Sequence, residues 1–298
     1  MNPLDRLIAG ALPWIPRSLV WRVARRYIAG LDFDDARSTV DTLSRKGLCA
    51  TLDYLGESVT TAQEAESARD VYLSVLHGIR TAELPAGISV KLTQLGLKID
   101  PGLAERNVTT LVDRAEALRR FVRIDMEDSS TTDATLAIYR GLRARHANVG
   151  LVLQAYLRRS LDDLRLLLPL EPDVRICKGI YREPLAIAYH GADEIRASFL
   201  TLVRALLEGR GRAAVATHDP PLLSDCLSLG EALRVPRERL QFQMLLGVGQ
   251  EHWPGILSRG HKLRIYVPFG RSWHAYSLRR LRENPRIAGY VFRALLRF

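Results

Sequence analysis

Short apolar runs, each closing on a polar or charged residue and each followed by a stretch with apolar positions three and four apart, recur along this chain. The runs are Leu48 to Leu52, Ile88 to Leu92, Phe121 to Met126, Gly150 to Ala155, Val174 to Cys177, Ala213 to Thr217, Leu240 to Met244 and Leu263 to Val267. Short runs of this length, bounded by polar residues, predict strands. Helices are predicted over Thr61 to Arg80, Leu103 to Arg119, Thr131 to Arg145, Leu161 to Leu168, Pro184 to Leu207, Pro221 to Leu233, Glu251 to Ser258 and Ser272 to Arg282. Strand followed by helix, repeated through the chain, predicts an α/β fold closed into a (βα)8 TIM-type barrel. An open doubly wound sheet is the competitor, but no G-x-G-x-x-G follows the first strand and no Walker loop is present.

Leu4 to Tyr27 and Phe33 to Lys46 read as further helices, stopped by Gly30 and Gly47. The expected organisation is therefore an N-terminal helical extension over 1–46, packed on a catalytic barrel over 47–298. At 298 residues, one barrel and a modest extension use up the chain. Leu7 to Ala29 is apolar but broken by Pro13 and Pro16 and punctuated by Arg17, Arg22, Arg25 and Arg26, so it reads as neither a secretory signal nor a membrane span.

The formal net charge of +10 turns attention to anionic partners. The arginines are scattered in pairs, such as Arg25 and Arg26 or Arg158 and Arg159, without aromatic interleaving or a recognisable module, which argues against nucleic acid. Cys49, Cys177 and Cys226 are odd in number and have no metal-like spacing; they fit reduced thiols and a cytoplasmic setting.

In a βα barrel the carboxyl ends of the strands converge on one mouth, so the residues that close the runs are the candidates for chemistry. These are Asp53 and Glu57, Lys91, Asp125, Gln154, Arg175 and Lys178, Thr217 and His218, Gln243, and Tyr266. Lys91 places a cation in the mouth, and a Schiff-base role is open to a lysine in principle. Asp125, with Glu127 and Asp128 nearby, is better read as a charge partner for Lys91 or Arg175 than as a metal ligand, since no second acidic cluster ends another strand. Arg175, Lys178 and Gly179 combine cations with a glycine that permits close backbone approach to a bulky ligand. Gln154 and Gln243 add amides to the rim beside Thr217 and His218. After the last strand, Tyr276, Arg279, Arg280 and Glu283 share one helical face, where paired guanidinium groups suit a carboxylate or phosphate and equally suit a solvated helix surface.

Read together, LDYLGE (52–57), SVKLTQLGL (89–97), RIDMEDS (123–129), LVLQAYLRR (151–159), RICKGIYREP (175–184), VATHD (215–219), FQMLLGV (242–248) and RIYVPFG with W-x-x-Y-x-x-RRL-x-EN (264–284) resemble, in order, the proline dehydrogenase family in its single-function bacterial form. The resemblance covers nearly all of residues 50–298. It implies an FAD-dependent barrel that oxidises L-proline to Δ1-pyrroline-5-carboxylate and passes electrons to a quinone. On the matching positions Lys91, Arg279 and Arg280 hold the substrate carboxylate, and Tyr266, Tyr276, Tyr181 and Leu245 wall its ring. Asp125 supports Lys91, Arg175 lies by the reactive flavin nitrogen, and Glu57 resembles a gate residue that pairs with Arg279. Met126, Gln154, Lys178, Gly179, Ile180, Thr217, His218, Gln243 and Glu283 contact FAD. A flavin barrel acting on another cyclic amino acid, or on a folate, is the alternative.

Three positions depart from the family pattern. Cys177 replaces an aliphatic residue, Ile180 an alanine and Leu246 a tyrosine or histidine, and the last two are expected to make the back wall of the pocket bulkier or drier. Because a quinone is dissolved in the bilayer, the basic amphipathic segments Leu4 to Tyr27 and Ile287 to Phe298 are candidates for peripheral contact with an anionic membrane face; they equally suit helices that cap the barrel.

Overall fold

The computed structural model describes residues 17–56, 59–274 and 276–278. Eight parallel strands close into one barrel in sequential order: β1 (Cys49–Tyr54), β2 (Ala86–Val90), β3 (Val122–Ile124), β4 (Val149–Gln154), β5 (Asp173–Cys177), β6 (Arg212–Ala216), β7 (Leu240–Leu245) and β8 (Leu263–Phe269). Each lies within a few residues of its expected run, and β8 pairs with β1 from Cys49↔Arg264 to Tyr54↔Phe269 to complete the closure. The (βα)8 expectation holds. Among the described residues two helices precede the barrel, α1 (Arg17–Ala24) and α2 (Phe33–Ser44). Between strands run α3 (Ala62–Thr81), α4 (Pro101–Ala117), α5 (Thr132–Arg143), α6 (Ser160–Leu167), α7 (Ala192–Glu208), α8 (Pro220–Ala232) and the short α9 (Trp253–Leu257).

Local chemistry sets where the helices begin. Thr61 Oγ1 accepts from the Glu64 N–H, and the Glu64 carboxylate accepts from the Thr61 N–H, a reciprocal cap that opens α3. Helix α4 starts at Pro101, ahead of the Leu103 read from periodicity, because the Asp100 carboxylate caps the N–H groups of Gly102 and Leu103. The larger difference is α7, expected from Pro184 but beginning at Ala192. The intervening backbone is engaged elsewhere: Arg158 Nε donates to Leu185 O, the Arg158 N–H to Ile187 O and the Tyr189 N–H to Tyr156 O. Leu185 and Ile187 are exposed, so these apolar positions mark no helix face turned to the core.

Side chains alternate across each strand, and the register brings like faces together. Outward residues, among them Leu52, Ile88, Ile124, Leu151, Ile176, Val215, Phe242 and Ile265, are buried in one cluster with the helices. Ala36, Val40 and Leu43 of α2 join the same cluster. The inward face is largely polar, and contacts between strands that are not neighbours identify it. Tyr266 on β8 bonds Asp125 just past β3, and Arg175 on β5 reaches Ser89 on β2 and Gln243 on β7, paths open only through the barrel interior. Helix α1 packs elsewhere: Val20, Ala24 and Ile28 are buried against Leu55, Trp273 and Tyr276. The described part of the Leu4 to Tyr27 segment thus turns its apolar face to the protein. Among the described residues no helix is long and apolar enough to cross a membrane.

Candidate active site

Strand periodicity aims Asp53, Ser89, Lys91, Asp125, Arg175, Gln243 and Tyr266 at the carboxyl-terminal half of the interior, where they form one hydrogen-bonded cluster. Lys91 Nζ lies 2.9 Å from Asp53 Oδ1 and 3.4 Å from Asp125 Oδ2. Arg175 Nη1 lies 2.8 Å from Asp125 Oδ1, and Arg175 Nε donates to Gln243 Oε1 at 2.6 Å. Asp125 also accepts from Ser89 Oγ at 2.7 Å and from the Tyr266 hydroxyl at 3.0 Å. The Arg175 guanidinium stands 5.2 Å from the centre of the Tyr266 ring, within reach of a cation–π attraction.

The charges hold one another. Burial alone would discharge Lys91, but the Asp53 and Asp125 carboxylates outweigh it and keep its pKa above the ordinary lysine range. A lysine held this firmly as ammonium is a poor Schiff-base nucleophile, which removes that option. Burial likewise opposes ionisation of Asp125, yet Lys91 and Arg175 prevail and hold it below the usual carboxylate range. Burial, reinforced by Asp125 and Asp53, pushes the Tyr266 phenol well up, so it stays a donor. Lys91 and Arg175 against Asp53 and Asp125 make a balanced set. A ligand carboxylate arriving there needs further positive charge.

A cavity of about 740 Å³ opens over this cluster. Its walls include Lys91, Asp125, Met126, Gln154, Arg175, Lys178, Gly179, Ile180, Tyr181, Thr217, His218, Gln243, Leu245, Tyr266 and Tyr276, so the structure brings together every described residue predicted for the site. Glu57, Arg279, Arg280 and Glu283 lie outside the described residues, as do most of the Ser272 to Arg282 helix and the basic tail. Leu246 is not in the wall; it packs on the main core, which corrects its expected place. Gly179 is explained by the fold as much as by a ligand, for at φ +114° a Cβ there would stand 2.1 Å from the Tyr156 ring.

Some of the polar groups read as ligand donors are engaged within the protein. Gln154 Nε2 donates to Glu127 O at 2.8 Å, and His218 Nε2 accepts from the Leu245 N–H at 3.0 Å, which places the ring proton on Nδ1. Arg175 Nη2 and Asp53 Oδ2, by contrast, are buried without a partner among the described residues. Sequence reasoning missed Asp53 as the nearer carboxylate to Lys91. It also missed Asp219, which draws Lys178 and Arg196 together at the rim (Arg196 Nε to Asp219 Oδ2, 2.8 Å). The signal for Asp53 was present: with Cys49 and Thr51 it shares the inward face of β1.

A profile of the proline dehydrogenase family matches residues 36–181 and 185–292. Proline dehydrogenase 1 of Bacillus subtilis is 35% identical over 274 residues, covering 92% of this chain and 91% of the relative. The proline dehydrogenase of Deinococcus radiodurans is 31% identical over 288 residues, covering 95% and 93%. Among solved structures, proline utilization A from Bdellovibrio bacteriovorus, inactivated by N-propargylglycine, superposes with a TM-score of 0.82 at 25% identity, covering 88% of this chain and 32% of that one. The chain therefore spans about a third of that larger protein but nearly the whole of the Bacillus and Deinococcus enzymes. Matched along its length by the family profile and by the Bacillus and Deinococcus enzymes, this oxidoreductase chain belongs to the proline dehydrogenase family.

Proposed function

We propose that this protein oxidises L-proline to Δ1-pyrroline-5-carboxylate with FAD as the bound oxidant and a quinone as the electron acceptor. The observation that carries the reading is the cavity over Lys91, Asp53, Asp125 and Arg175, a balanced charge cluster at the catalytic end of a barrel of this family. FAD fits the residues present. Arg175 Nη2 is buried and without a partner among the described residues, and Gln154, Thr217, His218 and Gln243 are interleaved in the cavity wall with the apolar Met126, Val152, Met244 and Leu245. Such a mixture suits a flat ring system whose edge carries hydrogen-bonding atoms. Bound there, FAD would supply the two-electron acceptor that amino-acid side chains lack.

The protein's own share is placement and charge. Lys91, kept as ammonium by two carboxylates, offers one fixed positive end for the substrate carboxylate. Because the described cluster is already balanced, Arg279 and Arg280 would provide the rest of that charge, and Glu57 would close the site against Arg279. Tyr266, Tyr276, Tyr181 and Leu245 would confine the ring. Orienting the reacting C–H in this way is worth on the order of 7–11 kcal/mol in well-placed intramolecular reactions. Arg175 would offer positive charge to the reduced cofactor.

Visible absorption of the purified protein, before and after anaerobic addition of L-proline, tests this. Flavin bands that bleach with proline, then return on adding a soluble quinone analogue, are the expected result; bands indifferent to proline would sink the substrate assignment. Flotation with anionic liposomes tests peripheral membrane contact separately.

A further inference from the structure

Beneath the cavity a line of hydrogen bonds crosses the barrel interior from β8 through β7 to β5. Arg264 Nε donates to Gln241 Oε1 at 3.2 Å, Gln243 Nε2 donates to that same oxygen at 2.9 Å, and Gln243 Oε1 accepts from Arg175 Nε at 2.6 Å. The direction of this line is forced. A guanidinium has donors only, so beside Arg264 the Gln241 side chain must present its oxygen. That oxygen draws the NH2 of Gln243 and thereby turns the Gln243 carbonyl toward Arg175. Were Gln243 to turn over, its NH2 would face the guanidinium of Arg175, donor against donor in a buried place, and Gln241 would lose one partner.

Arg264 is itself anchored, since its Nη1 donates to Ala50 O on β1. Arg175 is thus held on two sides, by Gln243 at Nε and by Asp125 and Ser89 at Nη1. Its Nη2 remains buried without a partner among the described residues, in a side chain that lines the cavity. The lower interior does not compete for it. Arg123 is satisfied by Asp173 and by Leu151 O, in space left by Gly150, where a Cβ would come within 2.4 Å of Arg123 Nη1.

We propose that Gln241 and Arg264, a layer below the cavity, are positioning residues that act through Gln243 to fix the direction in which Arg175 presents its remaining N–H groups to the cofactor. The inference rests on the flavin reading of the cavity. A neutral, nearly isosteric change, Gln241→Met, removes the shared acceptor without altering charge; Arg264→Lys keeps a donor-only cation.

The test is the reduction potential of the anaerobic holoenzyme by dye equilibration, alongside kcat and KM for proline. In Gln241→Met the flavin stays bound, the reduction equilibrium moves about tenfold toward the oxidised form, kcat falls by a similar factor and KM stays within about twofold, as loss of one hydrogen bond directing a charged group would produce. Arg264→Lys stays near the parent. Arg175→Lys is measured in parallel to separate two failures. A shifted potential in Arg175→Lys with none in Gln241→Met, whose stability alone changes, overturns the positioning role and leaves the flavin reading standing. An unshifted potential in both variants takes Arg175 out of the flavin's reach and overturns the positioning role with it; a protein that takes up no flavin overturns the flavin reading as well.

Discussion

Val122 and Ile124 alternate with Arg123 and Asp125 over four consecutive positions, yet the two pairs occupy different surroundings. The first pair is fully buried in the apolar layer between strands and helices. The second points inside the barrel, Arg123 to Asp173 and Asp125 to Lys91 and Arg175. Branched aliphatic residues usually fill such a barrel. Here the outer layer takes on the work of cohesion, and the interior is given over to ion pairs and amides. Buried ion pairs contribute little net stability, because desolvation offsets attraction, although breaking one is costly. The difference teaches that the two faces of one strand can answer to separate demands, and that it can be tested by changing one face at a time.

The largest effect belongs to the outer face. Phe242→Ala, at a fully buried position, should lower unfolding free energy by about 3–5 kcal/mol in a denaturant titration while leaving KM for proline nearly unchanged in the folded fraction. A fall in activity of the folded enzyme would show that the two faces are not separable. Next is Asp125→Asn, which keeps shape but removes the carboxylate between Lys91 and Arg175; kcat/KM should drop about a hundredfold, the scale of losing a preorganised electrostatic contact. Third is pH. The Asp125 carboxyl is depressed in the folded state, so its contribution is fully present above the ordinary carboxylate range and is lost as pH falls through the lower folded value. Unfolding free energy measured from pH 7 downward should begin to lose the Asp125 contribution only below about pH 4, and the Asn variant should show no such loss. The smallest effect is expected at the bottom of the barrel, where Arg123→Met with Asp173→Leu should change stability by no more than about 1 kcal/mol. A large loss there would show that the interior charges stabilise the barrel after all.

Much of this was legible in the sequence for a physical reason. Each strand shows as a short mainly apolar run, and the polar residues at or near its carboxyl end land on the mouth, so Lys91, Asp125, Gln154, Arg175, Thr217 and Gln243 were found from pattern alone and meet in one cavity. Partnership was legible only in part: Asp125 was read as a charge partner for Lys91 or Arg175 and pairs with both, but the nearer carboxylate was not. Asp53 appeared only as the end of a run, because nothing in β1 announces that Lys91, 38 positions later, will be within 2.9 Å. The start of α7 was misjudged because periodicity cannot sense that backbone groups of residues 185–189 are bonded to the segment after β4. Gly179 was read for its reach toward a ligand, when the Tyr156 ring already forbids a side chain there.

The pairing of α1 with the segment after β8 has a consequence in time. Trp21 and Trp273 meet with ring centroids 4.6 Å apart, and Val20, Ala24 and Ile28 are covered by Trp273 and Tyr276, the latter a wall of the cavity. A ribosome adding about 5–20 residues per second makes the second tryptophan on the order of 10–50 s after the first. For that interval the cluster around α1 has Leu55 but lacks Trp273 and Tyr276, and the Tyr276 side of the site is completed only when the segment after β8 comes back to pack on α1.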